Sequence, residues 1–223
     1  MTSNVISALN KIKNLEVFKD ELYFIGGTAL SYFINHRISE DIDIVSSKTL
    51  NYKRIIPLMS TIGAKKIDDE NIMSLRLAGL FPDEYILKFI LDDVKIEFFF
   101  ANRPIQNQIL KELTFTNYEN SNLKILDLKL IVKLKLVALF QRDKARDLFD
   151  FGSILDNNIM SINEILYIAK ESKNINSKED LINFISNKKE AKNDEAVYLD
   201  ESNRLDLSFE DIKQQVLTKL YTY

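Results

Sequence analysis

Apolar positions along the chain follow two rhythms. Val5, Ile6, Leu9 and Ile12 recur at helical spacing, which predicts a helix over Val5 to Phe18. The short apolar run Leu22 to Ile25 predicts a strand, ended by Gly26-Gly27. Thr28 is then placed to cap a helix whose apolar positions are Ala29, Leu30, Phe33 and Ile34. From Asp41 to Val45 charged and apolar residues alternate, as in a half-buried strand. Asn51 to Ile62 reads as a helix in which Pro57 predicts a kink or an early end. Three strands follow, at Ile72–Leu77, Tyr85–Leu91 and Val94–Phe100, the last two joined as a hairpin through Asp92-Asp93.

Beyond residues 102–125 the period changes to helical. Helices are expected at Leu128–Phe140, Ala145–Leu155, Ile162–Lys170, Lys178–Asn187 and Phe209–Leu220. The charged segment Asn187–Arg204 reads as an exposed loop or a frayed helix. The expected fold class is α+β: a mixed sheet with flanking helices over residues 1–115, then a helical domain over 116–223.

Composition narrows the chemistry. The 223 residues are 46% hydrophobic and 28% charged, an ordinary globular balance with enough apolar material for a sizeable core. With no cysteine and a single histidine, His36, thiol catalysis, cysteine-held zinc and multi-histidine metal sites are excluded, and Ser-His-Asp chemistry is disfavoured. A metal here would be held by carboxylates, which favours Mg²⁺, Mn²⁺ or Ca²⁺. The net charge of −3 rules out a globally basic nucleic-acid binder and leaves a local patch as the alternative. No apolar run is long enough to span a membrane, and the N-terminus lacks signal-peptide character, so a cytoplasmic protein is expected.

Three features carry candidate chemistry. The chain has only 5 glycines in 223 residues, yet two are adjacent between a strand and a helix. A glycine pair there allows a close backbone approach and an anion-binding helix start; a plain turn is the alternative. Fourteen residues on, Asp41 and Asp43 fall on one face of a strand. Paired carboxylates on one face suit a divalent cation better than a solvated sheet, where Asp has low propensity. Glu97 is the acid inside the apolar strand Val94–Phe100, and either a metal or a buried Lys or Arg would offset its burial. Three converging acids suit displacement at phosphorus assisted by metal ions.

The third feature is basic. Lys124 to Arg146 holds seven Lys or Arg and two Asp. On a continuous helix Lys135, Arg142 and Arg146 would lie within about 40° of each other. Such a face would suit phosphate oxygens; salt bridges inside a bundle, some of them to Asp147 and Asp150, are the alternative.

Together these segments resemble a known family. Phe24-Ile25-Gly26-Gly27-Thr28-Ala29-Leu30 with Arg37-Ile38-Ser39-Glu40-Asp41-Ile42-Asp43-Ile44 is similar to the first motif of the AbiEii/AbiGii-type toxins. These belong to the nucleotidyltransferase superfamily of DNA polymerase beta. Lys135-Leu136-Val137-Ala138-Leu139 with Arg142-Asp143-Lys144-Ala145-Arg146-Asp147-Leu148-Phe149-Asp150 resembles the family's later motif.

The resemblance implies a minimal nucleotidyltransferase sheet followed by a helical domain. It implies Asp41, Asp43 and Glu97 as catalytic metal ligands for Mg²⁺ or Mn²⁺. Gly26, Gly27 and Thr28 would meet the triphosphate of an NTP substrate. Arg37, Ser39, Lys135, Arg142, Arg146, Asp147 and Asp150 would complete nucleotide binding. Asp156, Asp180 and Asp200 all stay open for the family's last motif. The implied activity is nucleotide transfer with release of pyrophosphate, to an RNA acceptor such as tRNA, in a toxin–antitoxin or abortive-infection setting with a cognate antitoxin. A protein or small-molecule hydroxyl as acceptor, or a nucleotide-binding interaction protein without turnover, are the other readings.

Overall fold

A computed structural model describes every residue except Asn193 and Glu201. The chain divides into two compact units, Met1–Phe33 with Ser39–Asp127, and Ile34–Ile38 with Leu128–Tyr223.

The first unit is built on a mixed sheet. Its elements in chain order are α1 (Ser3–Ile12), β1 (Leu22–Ile25), α2 (Gly26–Ile34), β2 (Ile42–Ser46), α3 (Tyr52–Thr61), β3 (Lys65–Ile67), α4 (Ile72–Leu77), β4 (Ile86–Leu91), β5 (Val94–Phe100), α5 (Pro104–Lys111), β6 (Phe115–Asn117) and β7 (Lys124–Leu126). The strand order is β3-β4-β5-β2-β1-β7-β6. β2 pairs parallel with β5 and antiparallel with β1, so it lies at the centre of the sheet. Alternation does the sorting there. Ile42, Ile44, Ile96 and Phe98 are fully buried on one face, where Phe98 meets Phe18 and Phe89 at ring-centroid distances of 6.1 and 5.9 Å. Asp43 and Glu97 therefore turn to the other face.

The β4–β5 hairpin follows its sequence closely. Asp92 and Asp93 both take positive φ, 51° and 63°, the conformation that a two-residue type I′ connection requires. Other elements depart from expectation. Residues 72–77, expected as a strand, form helix α4. Met, Leu and Arg are good helix formers, and the edge of β4 is taken by the short strand β3. α1 stops at Ile12 and a separate 3₁₀ turn covers Glu16–Lys19, so the helix expected to Phe18 is two pieces. Pro57 lies inside α3, which continues to Thr61. β3, β6 and β7 have three residues each, too few to show a period, and α5 starts on Pro104 at its first turn.

The second unit is helical: α6 (Leu128–Gln141), α7 (Ala145–Asp156), α8 (Ile162–Lys173), α9 (Lys178–Ser186) and α10 (Phe209–Thr222). α6 buries Leu130, Ile131, Val132, Leu136, Val137, Leu139 and Phe140 and packs against α7 and α8. Capping boxes set the starts of α8 (Ser161 with Glu164) and α10 (Ser208 with Asp211). Within Asn187–Arg204 the described residues are irregular, with a single bridge between Tyr198 and Arg204; Asn193 and Glu201 of this segment lie outside the description. It is not wholly exposed, because Lys188 and Val197 are buried.

Candidate active site

The candidate residues fall into two groups, one in each unit. The first begins where β1 turns into α2. Gly26 takes φ +83°, so the chain passes from strand to helix in one residue. Antiparallel pairing sets Ile25 opposite Asp43. The Asp43 carboxylate packs directly on the bare Gly26 backbone: a Cβ at Gly26 would lie 2.0 Å from Asp43 Oδ2. Glycine is thus required twice over, by φ and by contact. Thr28 is fully buried and does not cap α2, which has already begun; its hydroxyl donates to the Asp41 carbonyl and ties the helix to the entry of β2. Gly27 and Ser39 are also buried.

Parallel pairing sets Asp43 beside Glu97. Lys95, two residues before Glu97, projects from the same face. Its ammonium is 3.0 Å from Glu97 Oε2. Burial would lower the Lys95 pKa, but the hydrogen bond and charge of Glu97, followed by the charges of Asp41 and Asp43, raise it. Asp41, Asp43, Glu97 and Lys95 thus share one electrostatic neighbourhood. Among the described residues no three acids are gathered into a ligand cluster. The donor set still fits a hard divalent ion: oxygen ligands alone, Asp43 and Glu97 side by side in register, and a lysine ammonium beside the carboxylates.

The second group converges on Asp150, which is 1% exposed. Arg37 grips it bidentately, Nε to Oδ1 at 2.6 Å and Nη2 to Oδ2 at 3.1 Å. Lys135 Nζ is 2.7 Å from Oδ2, and His36 Nε2 is 2.7 Å from Oδ1. Burial alone would raise the Asp150 pKa; the Arg37 and Lys135 charges and the hydrogen bonds from His36 and Arg37 outweigh it and hold the carboxyl well below the usual range. Burial pushes the His36 pKa down against the pull of Asp150, so the ring is neutral, with Nε2–H donating. Its Nδ1 is buried without a partner among the described residues, and the ring stacks on Phe149 at 6.2 Å.

The continuous cationic helix face is not formed. The chain leaves helical geometry at residues 142–144, between α6 and α7. Lys188 holds that break through the Arg142 carbonyl and Asp143, both at 2.8 Å. Arg142 turns to Asp147 in a bidentate pair at 2.6 and 3.0 Å, and Arg146 reaches Glu195 at 2.7 Å and the Ala196 carbonyl at 3.1 Å. Salt bridges inside the helical unit, the alternative weighed for these cations, are present.

Two residues of these groups were missed by sequence reasoning. His36 was weighed only as evidence against a hydrolase triad, though it directly precedes Arg37. Lys95 was readable in principle, because Lys-x-Glu on a strand places both side chains on one face.

The model of a protein family described as "Nucleotidyl transferase AbiEii toxin, Type IV TA system" matches residues 8–216. An uncharacterized protein of Aquifex aeolicus (strain VF5) is 28% identical over 167 residues, covering 74% of this chain and 71% of that protein. Among solved structures, JHP933 from Helicobacter pylori is similar over 100% of this chain and 92% of its own, with TM-score 0.52 and 16% identity. MenT4, a nucleotidyltransferase toxin from Mycobacterium tuberculosis H37Rv, is similar over 97% of this chain and 79% of its own, with TM-score 0.51 and 13% identity.

Proposed function

The chain belongs to the AbiEii nucleotidyl transferase toxin family of type IV toxin–antitoxin systems, and from that premise we propose that it transfers a nucleotide from an NTP to an RNA acceptor, tRNA first among them, using Mg²⁺ or Mn²⁺. The observation that carries this reading is Asp43, seated on the Gly26 turn and paired in register with Glu97.

In this reaction an acceptor hydroxyl forms a bond to the α-phosphorus, the bond to the bridging β-phosphate oxygen breaks, and pyrophosphate leaves. The hydroxyl proton passes to a neighbouring carboxylate. Asp41, Asp43 and Glu97 would hold the divalent cation, whose chemistry is to acidify the hydroxyl and neutralise charge on the phosphates. Gly26, lacking a Cβ, lets the Asp43 carboxylate sit against the start of α2, and the first N–H groups of that helix suit triphosphate oxygens. Arg142 and Arg146 are proposed for nucleotide binding, with Asp147 orienting Arg142, while Arg37 and Lys135, closed on buried Asp150, are proposed to support that side of the site. Ser39 is proposed for nucleotide binding as well. A cognate antitoxin is the proposed physiological partner.

The test mixes wild-type and Asp43→Ala protein with Mg²⁺, each α-labelled NTP in turn and deacylated tRNA. Label on RNA with wild type alone is the expected result. Label on protein would move the acceptor to a side-chain hydroxyl. NTP bound with no label anywhere would favour a binding module without turnover.

A further inference from the structure

The carboxylate face carries a positive charge of the protein's own. Two lysines flank Glu97. Lys88 stands directly opposite it on β4, but its ammonium is drawn to Asp69, at 2.7 and 2.8 Å from the two carboxylate oxygens. Lys95 reaches it instead, at 3.0 Å, and lies within the field of Asp41 and Asp43 as well. A lysine ammonium is charged at neutral pH, and at Glu97 it offsets the repulsion between Glu97 and Asp43, which strand register sets side by side.

We infer that Lys95 is a positioning residue of this site: it holds Glu97 in the ion-free protein and weakens the site's hold on free divalent ions, so that the cation is taken up with the nucleotide's phosphates rather than alone. The inference rests on the proposed metal-dependent reading of Asp41, Asp43 and Glu97. Its logic is competition. An ion that claims Glu97 must displace the ammonium, and the ammonium loses its carboxylate partner unless another anion meets it. The Lys95 side chain is 39% exposed, and its flexible four-carbon stem lets the charge swing from Glu97 to a phosphate oxygen. Uptake of a bare ion therefore leaves a cation unpaired, whereas uptake of an ion with its triphosphate supplies the missing anion. Ion and nucleotide would bind with positive coupling through one side chain.

The test is a Mn²⁺ titration of the full chain read by the EPR signal of free Mn²⁺, with and without a non-hydrolysable NTP analogue. It compares wild type, Lys95→Gln, Lys95→Arg and Asp43→Asn. Without nucleotide, Lys95→Gln should bind Mn²⁺ about tenfold more tightly than wild type, the scale of removing one nearby, partly screened charge. Lys95→Arg keeps the charge and should stay near wild type. With the analogue present the advantage of Lys95→Gln should shrink or reverse. In EDTA, Lys95→Gln should melt below wild type and recover with Mn²⁺. Should Lys95→Gln fail to fold without metal, Lys95→Met, refolded in Mn²⁺ and dialysed, takes its place. Equal Mn²⁺ affinity in wild type and Lys95→Gln, with binding lost in Asp43→Asn, overturns the role of Lys95 and leaves the metal site standing. Absence of Mn²⁺ binding in wild type and Lys95→Gln, even with nucleotide, removes the metal reading and this inference together.

Discussion

The two groups of candidate residues handle charge in opposite ways. On the sheet, Asp41, Asp43 and Glu97 are half-buried acids sharing a face with Lys95. In the helical unit Arg37, Lys135 and His36 close on the single carboxylate of Asp150, which is 1% exposed. The first group is open to solvent and rich in negative charge, the condition for taking up a cation. The second is sealed, and each Asp150 oxygen receives two donors at 2.6–3.1 Å. Losing a member of the open group should cost chemistry and little stability. Losing a member of the sealed group should cost stability first, because the groups left behind are uncompensated and dry.

The sharpest break is at Asp43. Asp43→Asn should reduce nucleotide transfer by about a thousandfold or more, the scale of losing several kcal/mol of charge stabilisation in the transition state. Its unfolding free energy in urea should stay within about 1 kcal/mol of wild type, since Asn keeps the shape of the side chain on a half-buried face. A large loss of stability there would erase the contrast. The mirror experiment is Asp150→Ala, which strands Arg37 and Lys135 without their anion. It should lower unfolding free energy by about 3–5 kcal/mol in chemical denaturation, the range for breaking a buried pair. A stable, inactive Asp150→Ala protein would instead make the sealed cluster a purely chemical device.

Gly26→Ala lies between these extremes. The new methyl would strike Asp43 Oδ2 in a backbone conformation that L-residues resist. Transfer should fall about a hundredfold, as expected for a displacement near 1 Å at a catalytic group, with a loss of about 1–2 kcal/mol in stability. Steady-state rates and a denaturant melt separate the two effects.

The smallest effect is on pH. His36 is neutral in the fold because burial depresses its pKa below the ordinary value of about 6.5. As pH falls through that value the unfolded chain takes a proton that the folded ring refuses, so stability is lost on acidification. Asp150, also depressed, contributes stability above about pH 3.9 that is lost only as pH falls further toward its folded pKa. Thermal melts at pH 7.5 and pH 5.5 should therefore show a decline that His36→Gln flattens. An unchanged slope in that variant would mean the ring titrates alike in the folded and unfolded chain.

Local patterns were legible wherever one chain segment carries its own signal. The helices of residues 128–222 begin where predicted and end within three residues of the predicted ends, because each buries an apolar stripe and three start on serine caps. The hairpin at Asp92-Asp93 was legible for the same reason. Residues 72–77 were not: their apolar alternation predicts a strand, but the helix they form buries none of its six side chains. The cationic face of Lys135, Arg142 and Arg146 was a projection onto a helix that stops at Gln141. Helical spacing has no meaning across a break, and the break is held by Lys188, far along the chain.

By itself, the sequence determined the class of chemistry. No cysteine and one histidine leave carboxylates as the side chains that could hold the proposed metal, and the Gly-Gly turn with Asp41-x-Asp43 is contained within 18 residues. Only the tertiary structure decided the partners. Parallel pairing of β2 with β5 sets Glu97 beside Asp43 across 54 positions, the direction of Lys88 toward Asp69 leaves Lys95 at Glu97, and packing against α7 brings His36 and Arg37 to Asp150. The physical reason is range: periodicity, caps and turns act over a few residues, whereas a charge finds its counter-ion by distance in space, which strand register and helix packing alone establish.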